Sequence, residues 1–153
     1  MSILNQRLRA VVQDEGYFGT AVCVMYDAAT GELRCVRAGH PAPLLFRAAG
    51  GVETLGRANP ALGLFPESRY QTTVARLNPG DALLLFTDGA TEIFNAREQE
   101  LGAEGLKQLI GEQWTRGRGD GFDLEQIEER LLCFSNQIHL PDDLTLVQLC
   151  RTA

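Results

Sequence analysis

The chain has 153 residues, 44% of them apolar and 22% charged, a balance typical of one globular domain with a core of its own. Its net charge of -6 and pI near 4.9 argue against a nucleic-acid-binding surface, which needs clustered Lys and Arg. No stretch approaches the ~20 apolar residues of a membrane helix, and the N-terminus lacks the pattern of a secretory signal. We therefore expect a single domain over residues 1–153, soluble and cytoplasmic, with no nucleic-acid or membrane partner.

The hydrophobic pattern predicts strands first, then helices, then a closing strand. In chain order we predict an amphipathic helix (2–16), two hairpins (18–39 and 43–55), two strands (70–77 and 82–87), two helices (101–114 and 123–138) and a last strand (143–151). The hairpins turn at Gly31 and at Gly50-Gly51, which tolerate positive φ. Trp114 and the link "TRGRGDG" are predicted to form a surface loop. This order indicates an α+β class with helices on an antiparallel sheet.

The four cysteines, at positions 23, 35, 133 and 150, lie far apart and form no C-x-x-C pair. That spacing excludes a zinc cluster and a thioredoxin-type motif. Each cysteine lies in an apolar stretch, so we predict small, buried, reduced thiols. A bridge between Cys23 and Cys35 across the first hairpin is the less favoured alternative.

Carboxylates adjoin two apolar strands. Asp88 follows the apolar run in "LLLFTDGATE" (83–92), and Asp142 and Asp143 precede the one in "LPDDLTLVQL" (140–149). If the two strands are antiparallel neighbours, these carboxylates converge at one sheet edge, where a hard cation such as Mg²⁺ or Mn²⁺ would relieve their repulsion. The alternative is an ordinary turn at each corner, because Asp-Gly and Pro-Asp-Asp are common turn sequences.

Five segments in this order resemble the SpoIIE-like branch of the bacterial metal-dependent (PPM-type) serine/threonine protein phosphatases. The segments are "FGTAVCVMYDAATGELRCVRAGHPAPLLFR", "NPALGLFP", "LNPGDALLLFTDGATEIFN", "LGAEGLKQLI" and "PDDLTLVQL". The resemblance implies an α-β-β-α sandwich with two Mn²⁺ or Mg²⁺ ions at the sheet rim. These ions would activate a bridging water that attacks phosphoserine or phosphothreonine, with no covalent phospho-enzyme.

The resemblance also assigns roles at the two corners. Asp88 and Asp142 match the family's metal-holding carboxylates and would be the catalytic pair. Gly89 would let backbone and water approach the ions, and Asp143 would orient a ligand or a water. An imidazole such as that of His40, in "AGHPAP", titrates in the range suited to donating a proton to the leaving serine oxygen, but the favoured interpretation of His40 is a strand-end residue that hydrogen-bonds the next turn. His139 is predicted only to precede the acidic turn.

The family's domain begins with earlier motifs that this chain does not contain, so the chain resembles the C-terminal portion of the domain. We expect the ligand that would bridge the two ions to be missing, and the sequence allows the chain alone to be either active or inactive. An uncovered sheet edge should favour a homodimer. The implied substrate is a phosphorylated regulatory protein of the anti-sigma-factor antagonist type, with upstream sensor or receiver domains in control. The alternatives are an inactive phosphatase-like binding module in a partner-switching pathway, and a plain α+β domain.

Overall fold

The computed structural model of the chain describes residues 1–12, 16–116 and 121–152. Its elements, in chain order, are α1 (Ser2–Val12), β1 (Ala21–Tyr26), β2 (Glu32–Ala38), β3 (Leu44–Phe46), β4 (Val52–Thr54), β5 (Thr73–Arg76), β6 (Ala82–Phe86), a 3-10 turn (Asp88–Ala90), α2 (Gly102–Arg116), α3 (Leu124–Ser135) and β7 (Leu146–Cys150). The predicted α+β class is confirmed. The elements form two compact units, Met1–Ala42 with Leu55–Arg76 and Pro43–Thr54 with Leu77–Ala153, and the single domain over 1–153 stays a prediction.

The first unit contains a three-stranded antiparallel sheet in the order β1-β2-β5. The predicted first hairpin is confirmed, and Gly31 occupies its turn with a φ of 77°. Side chains alternate across the sheet. On one face Leu33 and Cys35 are fully buried, while Met25 and Val74 on the other are exposed.

Helix α1 belongs to the first unit and buries a polar residue in place of its apolar ones. Asn5 is 1% exposed, whereas Ile3, Leu4 and Val11 are exposed. The Asn5 amide donates to the Phe65 carbonyl at 3.0 Å, and its Oδ1 accepts the Gly63 N–H at 2.8 Å and the Tyr70 hydroxyl at 3.2 Å. The predicted amphipathic helix is confirmed over Ser2–Val12, and residues 13–15 of its predicted range lie outside the described residues. Its apolar spacing does not bring Ile3, Leu4 and Val11 into a core.

The second unit contains a four-stranded antiparallel sheet in the order β4-β3-β6-β7. The predicted second hairpin, β3 with β4, is confirmed, and Gly50 and Gly51 hold φ values of 100° and 97° in its turn. Helices α2 and α3 contribute to one core with β3 and β6. Its fully buried side chains include Leu44, Phe46, Leu84, Ile93, Leu106, Ile110, Ile127 and Leu131.

Helix α3 begins and ends at recognisable caps. The Asp123 carboxylate accepts the Gln126 N–H at 3.1 Å, and Asn136 closes the helix in the left-handed conformation with a φ of 53°. No helix among the described residues has the length and apolar character needed to cross a membrane.

Two predictions about individual side chains were wrong. Trp114 lies in α2, as the predicted helix over 101–114 has it, but its predicted place at the surface is wrong, because its side chain is 4% exposed and packs against Phe46 and Phe122, with ring centroids 5.8 and 5.1 Å away. Residues 117–120 of the predicted loop lie outside the described residues. All four cysteines are free thiols as expected, but Cys23 and Cys133 are exposed, not buried.

Candidate functional site

The two predicted acidic corners meet at one edge of the second unit's sheet. Strands β6 and β7 are antiparallel neighbours, with Phe86 opposite Leu146 at the end of the ladder. The end of β6 and the start of β7 therefore lie at the same edge. Asp88 follows this end of β6, and Asp142 and Asp143 precede this start of β7.

The backbone around Asp88 is fixed by a single 3-10 turn. Thr87 precedes the turn in an extended conformation, and its carbonyl accepts the Ala90 N–H at 3.0 Å. The Asp88 carbonyl accepts the N–H groups of Thr91 and Glu92, both at 2.8 Å. These bonds turn the chain away from the sheet directly after β6, and they leave the Asp88 carboxylate half-buried at the sheet edge.

Gly89 brings the turn into contact with the opposite corner. A Cβ atom at this position would lie 2.6 Å from the Asp143 carbonyl oxygen and 3.3 Å from that of Asp142. Both atoms belong to the backbone and have little freedom to move. The glycine is thus explained by close packing of two backbone segments, since its φ lies outside the left-handed region.

Thr87 also joins the two corners, and the sequence analysis overlooked it. Its hydroxyl donates to the Asp143 carbonyl at 3.0 Å and accepts the Thr145 N–H at 2.9 Å. Its own N–H donates to the Thr145 carbonyl at 3.1 Å. The available signal was the pair of threonines, one before Asp88-Gly89 and one two residues after Asp143.

The carboxylates at this acidic corner, formed by Asp88, Asp142 and Asp143, have few protein partners. Asp142 and Asp143 are exposed, and Asp142 Oδ1 accepts the Asp143 N–H at 2.8 Å. Their oxygens are the donors that Mg²⁺ and Mn²⁺ prefer. Within the described ranges, however, no group of three or more His, Cys, Asp or Glu side chains is placed to hold a metal ion. The corner fits the chemistry of such a site but supplies only part of its ligands.

The two histidines are placed as the favoured interpretation expects. His40 follows β2 in the first unit, and its Nδ1 lies 3.1 Å from the Pro41 carbonyl, which can only accept a hydrogen bond. His139 is exposed between α3 and β7, and none of the hydrogen bonds of the described residues involves its ring. Neither arrangement requires a catalytic role.

A buried carboxylate holds the other end of β6. Asp81 is 3% exposed and forms a 2.8 Å ion pair with Arg47. Burial raises the pKa of Asp81, but hydrogen bonds from the Ala48 and Asn78 amides and from Arg47 outweigh it, so the pKa lies below its ordinary value. Asp81 is the aspartate of "LNPGDALLLFTDGATEIFN" that the sequence gives no functional role.

Comparison with known proteins gives a consistent family assignment. The family model described as Stage II sporulation protein E (SpoIIE) matches residues 1–152. Protein IcfG of Synechocystis sp. is 23% identical over 138 residues, covering 90% of this chain and 21% of that protein. Phosphoserine phosphatase RsbP of Bacillus subtilis is 27% identical over 95 residues, covering 60% of this chain and 24% of that protein. The chain thus spans less than a quarter of either relative.

Solved structures show the same fold. The SiaA-PP2C domain of Pseudomonas aeruginosa matches with a TM-score of 0.78 and 17% identity, covering 95% of this chain and 57% of that one. The phosphatase domain of SpoIIE from Bacillus subtilis, presoaked with Mn, matches with a TM-score of 0.65 and 16% identity, covering 99% of this chain and 65% of that one. The predicted phosphatase-type fold is therefore confirmed.

Proposed function

The chain belongs to the SpoIIE family of phosphatase-type domains, and from this we propose that it is part of a metal-dependent protein serine/threonine phosphatase. The reaction is hydrolysis of phosphoserine or phosphothreonine on a regulatory partner protein. The observation that carries the proposal is the acidic corner, where Thr87 and Gly89 hold Asp88 against Asp142 and Asp143. An ordinary pair of turns has no need of such contacts between them.

Asp88 and Asp142 would supply carboxylate oxygens to Mn²⁺ or Mg²⁺, which favour oxygen ligands. Asp143 would orient a ligand or a water, and Gly89 keeps its carbonyl in contact with the Asp88 turn. When bound, two such ions supply a water that ionises near neutral pH and a clamp for the phosphoryl oxygens. The protein's own task is to hold negative oxygen atoms at fixed positions and to leave the corner open to a phosphorylated side chain.

The partner is proposed from the family and from one relative. RsbP is a phosphoserine phosphatase, which favours a phosphoserine on a regulatory protein as the substrate. We extend this to a protein of the anti-sigma-factor antagonist type, under the control of sensor or receiver domains in the same polypeptide. The net charge of -6 repels a phosphorylated partner. Electrostatic attraction must therefore come from cations bound at the acidic corner.

A second function has one observation in its favour. The described residues do not bring three metal-ligating side chains together, so the chain alone fits a phosphatase-like module that docks a regulatory protein without hydrolysis. The two functions differ in one measurable property, since a docking module has no requirement for cations at the acidic corner. Association into a homodimer also stays a prediction, and a concentration-independent monomer mass by light scattering would contradict it.

The test is a calorimetric titration of Mn²⁺ into residues 1–153, with Asp88→Asn and Asp142→Asn as the variants. Glu128→Gln is the matched control, because it removes one exposed negative charge from α3. We expect saturable binding in the wild type and Glu128→Gln, and its loss in both corner variants. A phosphoserine peptide and a phosphorylated antagonist protein are then assayed in the same buffer. Equal binding in all four proteins would refute the metal site, and binding of the phosphoprotein without Mn²⁺ or turnover would establish the docking module.

A further inference from the structure

We propose that Thr87 is a positioning residue that fixes the Asp88 turn against Asp142 and Asp143. The proposal rests on the proposed function, in which these carboxylates hold cations. Thr87 itself does not contact the reacting atoms in this scheme. Its side chain acts on the backbone that carries the ligands, and the hydroxyl is the group responsible.

The hydroxyl continues the β6–β7 ladder beyond its last strand pair. That ladder ends with Phe86 opposite Leu146. One residue further on, the Thr87 N–H still reaches the Thr145 carbonyl at 3.1 Å, but the return bond goes from the Thr145 N–H to the Thr87 hydroxyl at 2.9 Å. The same hydroxyl donates to the Asp143 carbonyl at 3.0 Å. A side chain thereby takes the place of a backbone acceptor and holds a segment that is no longer a strand.

No other residue duplicates this connection in the described part of the chain. Every hydrogen bond there between residues 87–92 and residues 142–145 has Thr87 as one partner. Gly89 leaves no room for a Cβ beside the Asp143 carbonyl but forms no hydrogen bond with it. Packing therefore limits how closely the corners approach, while the hydrogen bonds of Thr87, two of them through its hydroxyl, hold the corners together.

This arrangement bears on cation binding because Mg²⁺ demands oxygens at about 2.0–2.1 Å in near-octahedral geometry. Carboxylates carried by two separate segments meet that demand only if the segments keep their spacing. Removing a group that orients a metal ligand without itself contacting the metal typically lowers metal affinity by about 10–100-fold. We expect the Thr87 hydroxyl to be such a group.

The test compares Thr87→Val, which keeps the branched shape and loses the hydroxyl, with Thr87→Ser, which keeps the hydroxyl. For Thr87→Val we expect Mn²⁺ affinity to fall by about tenfold or more, and for Thr87→Ser to stay within about threefold of the wild type. Without metal, amide hydrogen exchange at Thr145 should accelerate in the valine variant alone. Exchange at Leu83 and Leu149, a hydrogen-bonded pair within the ladder, should stay unchanged, which separates loss of positioning from general destabilisation.

The two readouts keep this proposal distinct from the proposed function. If the wild type binds Mn²⁺ and Thr87→Val binds it equally well, positioning by Thr87 is refuted while the metal site stands. If the wild type does not bind Mn²⁺, the metal site is refuted, and positioning by Thr87 is then tested by the hydrogen exchange and NMR shifts of the Asp142 and Asp143 amides. Changes in Thr87→Val that are confined to these two amides and Thr145 support positioning. Unchanged amides, or equal changes in Thr87→Val and Thr87→Ser, overturn it.

Discussion

Replacement of Asp81 by asparagine should destabilise the second unit far more than its single-atom change suggests. Asp81 Oδ2 accepts Arg47 Nη1 at 2.8 Å, the Asn78 N–H at 2.9 Å and the Asn78 side-chain amide at 3.2 Å. Asp81 Oδ1 accepts the Ala48 N–H at 2.9 Å. Every neighbour is a donor, so the NH₂ group of an asparagine faces at least one N–H whichever way it is turned.

The loss of stability depends on the burial of the Asp81–Arg47 ion pair and on the partner that Arg47 keeps in the variant. Removing one partner of a buried ion pair costs about 3–5 kcal/mol. Arg47 is not left alone, because Glu53 binds it at 2.8 and 3.1 Å. We therefore expect a loss near the lower end, about 3 kcal/mol in the free energy of unfolding. At about 2–4 °C per kcal/mol for a chain of this size, the midpoint of thermal unfolding should fall by roughly 6–12 °C.

Glu53→Gln provides the matched control, since it removes a carboxylate from the same arginine. The Glu53 side chain is 60% exposed, against 4% for Asp81. Exposed ion pairs contribute about 0.2–1 kcal/mol. Urea unfolding followed by circular dichroism measures both variants at pH 7. A loss below about 1 kcal/mol for Asp81→Asn, or equal losses for the two variants, would refute the argument from burial.

The same pair sets a pH dependence with a definite sign. The pKa of Asp81 is lowered in the folded chain, because its hydrogen bonds outweigh the opposing effect of burial. A carboxylate of this kind contributes its full stability above its unfolded pKa, about 3.9, and loses it as the pH falls through the lower folded value. The stability difference between wild type and Asp81→Asn should thus be constant from about pH 7 to 5 and shrink below about pH 4.

Three further outcomes are expected. Gly89→Ala should cost about 1–3 kcal/mol in urea unfolding and weaken Mn²⁺ binding, because its Cβ would lie 2.6 Å from the Asp143 carbonyl oxygen. Trp114→Phe should cost about 1–2 kcal/mol by thermal circular dichroism, because it loses the 3.0 Å hydrogen bond to the Arg47 carbonyl. In a thiol-reagent assay, exposed Cys23 should react at once, whereas Cys35 should react only on unfolding, because burial encloses its thiol and raises its pKa. Equal reaction rates of the two thiols in the folded chain would contradict this.

The pairing of neighbouring strands could be predicted where local signals agree. Gly31 and Gly50-Gly51 mark the two hairpins because their turns require positive φ, which the structure confirms. The β6–β7 pairing joins residues far apart in sequence. No local pattern predicts this pairing, and the sequence supports it only as the condition under which the two acidic corners converge; the structure meets that condition.

Other features depend on partners that no local pattern reveals. The apolar spacing of α1 predicts a buried stripe, but Asn5 is buried because Phe65, Gly63 and Tyr70, about sixty residues away, supply its hydrogen bonds. The polar, glycine-rich segment after Trp114 favours a surface position for this residue, but its ring packs against Phe46 and Phe122, which lie far from it in sequence or beyond that segment. Each error arises where a tertiary contact overrides the local sequence signal.

Strand β6 is held at both ends by side chains, and the two ends have different consequences. At its start, buried Asp81 forms an ion pair with Arg47, so replacing Asp81 should destabilise every element of the core that β6 shares with α2 and α3. At its end, the Thr87 hydroxyl bonds, within the described part of the chain, to the Asp143 carbonyl and the Thr145 N–H alone, and neither residue belongs to that core. Asp81→Asn should therefore lower global stability and speed amide exchange throughout the unit, whereas Thr87→Val should release the acidic corner alone. The strand that contributes to the core also leads into Asp88, and its two ends allow stability and cation binding to be changed separately.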